Sequence, residues 1–218
     1  MRIKSLLLAA VLVAAPLTGA PQDAGPTGVF AVDSDASWIR VLAWPAGPLK
    51  RFGHHHVISH RAISGTATVG ADPLDTQFEL ALEVTSLDVD NADERAQEGE
   101  EFEGVVPQKD IDGTRENMLG EKLLNGEAFP TVLVRSQSIE GSLESATIVT
   151  TMTVKGVDMT VTVPASIELT ADRFVARGEF EITHGALGLS QFTAMGGALS
   201  VRDLLVLKFE ISGVLQPD

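Results

Sequence analysis

Four of the five histidines lie close together, at His54, His55, His56 and His60. Residues two apart in an extended strand share a face, so His54 and His56 could chelate one metal ion while His55 points away. His60 would lie ~13 Å from His56 at ~3.3 Å per residue, too far for the same metal centre. A metal site would therefore need a third ligand, from His184 or from a carboxylate.

The cluster allows two further interpretations. Gly53 marks a turn directly before it, and three adjacent histidines cannot all face inward, which favours a surface cluster without a function. Alternatively, His54 and His56 hold the polar head of a ligand at the entrance of a cavity. The metal interpretation would require a transition-metal ion, since imidazole suits such ions.

No known catalytic set stands out. The chain has no cysteine, no Gly-x-Ser-x-Gly elbow, no His-Glu-x-x-His motif and no phosphate loop. The acidic residues between Asp88 and Glu103 fail the EF-hand test, because Ala92 occupies the fifth position and Asp93 stands where glycine is needed. We expect this acidic stretch to be a solvated loop and the protein not to be an enzyme.

The N-terminus has the order of a secretory signal peptide. A charged start with Arg2 and Lys4 precedes an apolar run over 6–17 and small residues at 18–20. We predict a signal peptide at 1–20, a flexible Pro/Gly-rich tether at 21–28 and one domain at 29–216. An uncleaved N-terminal anchor is the alternative. The expected location is periplasmic or secreted, with no membrane span in the mature protein because no later stretch is long enough.

The charge excludes some partners. Thirty acidic residues against 16 basic ones give a formal net charge of -14, which repels nucleic acid and anionic membranes. Aromatic residues make up 5% of the chain and include no tyrosine, so a stacking platform for bases or sugars is poorly supported.

Alternating apolar and polar residues predict antiparallel β structure. The clearest strands are 76–84, 174–182 and 205–211, and less regular β-rich runs lie at 29–34, 37–45, 57–70, 131–140, 145–155 and 159–170. Residues 154–158 resemble a hairpin turn, and Pro164 indicates an edge or a bulge. Without interleaved helices, this pattern favours a closed barrel of about eight strands that can hold one small ligand.

One segment, 91–125, interrupts this pattern. It is acidic and helix-prone, and residues 114–124 predict a short amphipathic helix with Thr114 as its N-cap. A connection of this length inside a compact β domain is usually functional or disordered. A helix that covers one end of the barrel would account for it.

Several short segments, taken in order, resemble the YceI-like family of lipocalin-like, lipid-binding proteins. They are AVDSDAS at 31–37, VTSL at 84–87, NMLG at 117–120, AFPT at 128–131, MTVKGV at 152–157, ALGL at 186–189 and GGALSVRD at 196–203. Gly53 to His56 is similar to the Gly-His-x-His of one branch. The resemblance implies an eight-stranded barrel, a helix near one end and an apolar tunnel for an isoprenoid tail.

The leading hypothesis is an exported protein that holds an isoprenoid-like or fatty amphiphile, with the head near His54 and His56. Burying one methylene is worth ~0.8 kcal/mol, so ten tail carbons gain roughly 8 kcal/mol before the loss of chain freedom. The candidate lining is the apolar face of the clear strands: Phe78, Leu80, Leu82, Phe174, Phe180, Leu205, Leu207 and Phe209. If these side chains instead fill a closed core, a protein-interaction module is the alternative. A metal-binding protein or metal-dependent enzyme that uses His54 and His56 is another.

Overall fold

The computed structural model describes residues 26–217. The predicted signal peptide and most of the predicted tether lie outside this range, although Gly28 already belongs to the first strand. The strands are β1 (Gly28–Val32), β2 (Trp38–Ala43), β3 (Pro45–Ala46), β4 (His56–His60), β5 (Ile63–Val69), β6 (Gln77–Glu83), β7 (Asp88–Val89), β8 (Thr131–Ser142), β9 (Ser145–Val154), β10 (Val157–Leu169), β11 (Arg173–Thr183), β12 (Thr193–Ala194), β13 (Leu199–Val201) and β14 (Leu204–Leu215).

The helices are short. The α-helices are α1 (Ala92–Arg95) and α2 (Gln108–Leu119), and single 3-10 turns lie at Ser34–Ala36, Lys50–Phe52, Pro73–Asp75, Val84–Ser86, Glu100–Phe102, Gly185–Leu187 and Met195–Gly197. None of the helices in residues 26–217 combines the length and the apolar character needed to cross a membrane.

The sheet closes into an eight-stranded antiparallel barrel, which confirms the predicted fold class. β1 pairs with the last part of β14, where Phe30 lies opposite Leu215, and this contact closes the wall. β2 pairs with the first part of the same strand, where Leu42 lies opposite Val206. β1 and β2 therefore form one interrupted wall strand, and closure leaves no long unpaired edge.

The β-rich run predicted over 57–70 forms two strands, β4 and β5. Arg61 and Ala62 between them are exposed, while His60 and Ile63 on either side are buried. The two strands are separated by a tight turn, in which the Ile63 N–H donates to the Arg61 carbonyl at 2.8 Å. The predicted hairpin turn is present, and its residues Lys155 and Gly156 both have positive φ, which suits the tight turn between β9 and β10.

Pro164 lies inside a wall strand and is paired with Thr147 of β9. On the other side, the ladder between β10 and β11 covers only Ser166 to Leu169. The ladder therefore stops beside the proline, which has no N–H to donate.

The predicted helix has different bounds. α2 begins at Gln108, six residues before the predicted N-cap Thr114, and ends at Leu119. The carbonyl of Pro107 accepts hydrogen bonds from Asp110 and Ile111, so the first turn starts there without a side-chain cap. Gly113 lies inside this helix, and its low helix propensity makes the first half hard to recognise from sequence.

The acidic stretch is not a solvated loop, which corrects the prediction. Residues 88–106, here named the outer cover, pack on the outside of the barrel. Phe102 is buried against Leu42 and Val57, and Glu94 and Arg95 are also buried. The cover is ordered because its apolar and charged side chains both find partners on the outward faces of β2, β4 and β14.

Candidate functional site

The barrel encloses an apolar cavity with a volume of about 410 Å³, which is within the size range of small-molecule sites. Inward residues of β14 line it from Leu205 to Ile211. The six residue steps from Leu205 to Ile211, at ~3.3 Å each, give a length of roughly 20 Å along this wall. The cavity is thus long enough for an extended hydrocarbon chain.

All eight apolar residues that the sequence singled out line this cavity, namely Phe78, Leu80, Leu82, Phe174, Phe180, Leu205, Leu207 and Phe209. They come together because β6, β11 and β14 each turn every second side chain inward. Met152 of β9 and Val163 of β10 also line the cavity, on the stretch of wall between β6 and β11. The side chains leave the centre empty, so the structure does not have the closed core that the interaction-module alternative requires.

One end of the cavity is polar, and His56 is part of it. His56 Nδ1 lies 2.6 Å from Asp90 Oδ2. A carboxylate only accepts hydrogen bonds, so Nδ1 carries the proton and donates it. Asp90 is itself fixed by the Val57 N–H and by Arg95. This chain of contacts holds the imidazole in place, and its Nε2 has no hydrogen-bond partner within residues 26–217.

His184 has the same arrangement at the same end. Its Nδ1 lies 3.0 Å from the backbone carbonyl oxygen of Asp203, so Nδ1 donates here too. Among the residues that the structure describes, Nε2 has no hydrogen-bond partner. Thr114 and Asn117 of α2 also line this end. We name these two histidines, Thr114 and Asn117 the polar end. The polar end thus combines hydrogen-bonding groups from three parts of the chain.

The other histidines have different surroundings. His54 Nε2 lies 3.2 Å from Asp110 Oδ2, and its ring centroid is 6.2 Å from that of His56, but His54 does not line the cavity. His55 contacts the carbonyl of Glu101. His60 does line the cavity; its Nε2 donates to the Glu83 carbonyl at 2.7 Å, and its buried Nδ1 has no partner in the described part of the chain.

Two buried carboxylates hold the outer cover on the barrel, and one of them, Asp90, also holds His56 of the site. Burial raises the pKa of Asp90, but His56, the Val57 N–H and Arg95 outweigh it and bring the pKa below its ordinary value. Burial also raises the pKa of Glu94, and Arg40 and Arg61 again turn the net shift downward. Both carboxylates are therefore ionised and paired at neutral pH.

Residues 26–217 contain no group of three or more histidine, cysteine, aspartate or glutamate side chains arranged to hold a metal ion. His184 is not a third ligand beside His54 and His56. The rows of the sheet place His56, Ala43, Leu205 and Ile182 on four successive strands. At ~4.8 Å per strand, Ile182, two residues before His184, lies roughly 14 Å from His56 along the sheet.

Comparison with known proteins identifies the fold family. The YceI-like domain family matches residues 30–212. The chain belongs to the YceI-like family.

Solved structures have the same fold at low sequence identity. Burkholderia cenocepacia BcnA is 15% identical, with 83% of this chain and 98% of BcnA covered at a TM-score of 0.60. The Campylobacter jejuni YceI protein is 11% identical, with 73% of this chain and 85% of that protein covered at a TM-score of 0.50. No curated protein matches the chain.

Sequence reasoning missed part of the polar end. It considered His184 only as a metal ligand, and it did not single out Thr114 or Asn117 as lining residues. These side chains come from segments far apart in sequence. The one available signal was the length of the helical insertion, which favoured a cover over one end of the barrel.

Proposed function

We propose that this YceI-like protein holds an isoprenoid-like or fatty amphiphile, with its tail in the cavity and its head at the polar end. The observation that carries the proposal is the empty, almost wholly apolar cavity with hydrogen-bonding groups at one end. A tail gains ~0.8 kcal/mol per buried methylene. A head that reaches His56 Nε2 or His184 Nε2 fixes the direction in which the ligand enters.

The head is better assigned to His56 and His184 than to His54. His56 and His184 line the cavity and each keeps one ring nitrogen free, whereas His54 lies outside the lining and contacts Asp110. In the proposal, His184 therefore replaces His54, and His56 is kept from the sequence-based prediction.

Native mass spectrometry of protein purified from its host tests this function. We expect a bound amphiphile at one per chain, and uptake of a long-chain quinone, prenol or fatty acid after removal of the native lipid. Protein that is recovered empty and takes up none of these three classes would refute the proposal.

We also propose that the protein works outside the cytoplasm. The support is the charged, apolar and small order of residues 1–20. Cell fractionation with mass determination of the mature N-terminus tests it. Recovery of the chain in the cytoplasm with residues 1–20 still attached would contradict export.

A further inference from the structure

A small flap closes the polar end of the barrel. It consists of residues 44–53 and 184–202, which contain the three-stranded sheet of β3, β13 and β12. The Leu49 N–H donates to the Ala198 carbonyl at 2.9 Å and ties the two segments together. Phe192 and Val201 on its inner side line the cavity. The outer side of the flap is therefore the surface next to the proposed ligand head.

The flap has the opposite charge to the rest of the protein. The chain has 30 acidic residues, yet none lies in either flap segment. The flap instead carries Lys50, Arg51 and Arg202, and all three are exposed. Within residues 26–217 none of these three side chains forms an ion pair. The flap of this acidic molecule thus carries three cations that have no carboxylate partner in the described residues, and the first acidic residue beside it is Asp203, directly after Arg202.

The same flap exposes large apolar side chains. Phe52 is 62% exposed and Met195 is 70% exposed, and both occupy 3-10 turns of the flap. The Arg51 guanidinium lies 4.7 Å from the centre of the Phe52 ring. Exposed apolar side chains beside unpaired cations are the combination found on proteins that rest on anionic lipid surfaces.

We propose that the flap docks on an anionic phospholipid membrane. Each Lys or Arg near such a surface contributes attraction, and an apolar side chain that reaches below the headgroups adds burial of its own. The net charge of -14 repels the same membrane from the other faces, so the molecule is oriented with the flap toward the lipid. Docking does not depend on what the cavity binds. If the ligand is a membrane lipid, docking brings the polar end next to its source.

Vesicle co-sedimentation tests the proposal. The protein is purified from its host in the form in which it accumulates there, and no ligand is added. Vesicles of phosphatidylcholine with and without phosphatidylglycerol are compared at low ionic strength. We expect binding only when phosphatidylglycerol is present, and a decrease when salt is added. The double variant Lys50→Gln, Arg51→Gln should bind about tenfold to thirtyfold more weakly, at one charge contribution per residue.

Matched variants separate the flap from the whole molecule. Lys109→Gln with Lys122→Gln removes the same charge from exposed positions outside the flap. A second flap variant, Phe52→Ser with Met195→Ser, removes the exposed apolar side chains. Its control is Val29→Ser with Val214→Ser, because both valines are exposed on strands away from the flap. We expect only the flap variants to lose vesicle binding, with thermal unfolding unchanged.

Three results would overturn the proposal: equal binding to both kinds of vesicle, no binding to either, or equal losses in flap and control variants. Uptake of soluble ligand by the flap variants is measured separately. Loss of ligand uptake would count against the proposed ligand-binding function, whereas loss of vesicle binding alone identifies the flap as the docking surface.

Discussion

Ala176→Phe shortens the cavity from the end opposite the histidines. Ala176 lines the cavity and is paired with Ile211 of β14 and Ile167 of β10. A phenyl group at this position extends into space that the structure leaves empty. The apolar ring needs no hydrogen-bond partner, so we expect the empty protein to be at least as stable as the wild type.

The magnitude follows from the atoms added. The substitution adds about six carbon atoms and displaces as many tail carbons, at ~0.8 kcal/mol each, so a tail that fills the cavity loses about 5 kcal/mol, or more than a thousandfold in affinity. A tail that is shorter by about six carbons does not reach position 176 of the cavity, so we expect its affinity to be unchanged. The variant therefore shifts the preferred chain length and does not abolish binding.

The assay is a titration of delipidated protein with saturated fatty acids of increasing length. Ala71→Phe is the matched control, since Ala71 is exposed and does not line the cavity. An identical chain-length dependence in the wild type and in Ala176→Phe would refute the reasoning, because the tail would then not extend along β11.

Three further predictions concern the polar end and the outer cover. His56→Phe keeps a ring in the cavity wall but removes its nitrogens, so we expect an alcohol or acid ligand to bind about 1–3 kcal/mol more weakly and the matching alkane to bind equally well in competition assays. Arg40→Met removes the buried partner that Glu94 and Glu98 share, while Arg61 and Lys208 still contact these carboxylates. We expect it to cost about 3–5 kcal/mol in urea unfolding, whereas Arg177→Met on the partly exposed outer face should cost about 0–1 kcal/mol; equal costs would contradict the buried pairing. The pKa of Glu94 is lower in the folded chain than its unfolded value of about 4.3, so the unfolded chain takes up this proton first. The stabilisation from the ionised Glu94 is complete above the unfolded pKa and is lost as the pH falls through the lowered folded pKa. Glu94→Gln should remove this part of the acid dependence when the free energy of unfolding is measured from neutral pH downward.

The wall of the barrel was predictable from sequence because each wall strand carries its own signal. The alternation over 76–84 identifies β6 and its inward side chains without knowledge of any neighbour. The same holds for the inward faces of β11 and β14. Whether those side chains met in the middle depended on barrel diameter, which is a property of all eight strands together.

The outer cover was not predictable in the same way. Asp90 and Glu94 lie in a segment with the composition of a solvated loop, and their burial depends on partners such as Arg95 and Arg40. Arg40 lies 54 residues before Glu94 in the sequence, and no local pattern can indicate a pairing over that separation. The polar end shows the same limit, because His56 and His184 are brought to one cavity by strand pairing alone.

Barrel closure has a consequence for the order of folding. The hairpins from β8 to β11 join neighbouring segments, whereas closure requires Phe30 to meet Leu215 from the far end of the domain. Contacts between distant segments form late, since their loop-closure entropy is large. We expect Phe30→Leu to accelerate unfolding in stopped-flow experiments and to leave the folding rate nearly unchanged. A folding rate that falls in proportion to the lost stability would instead place closure in the transition state.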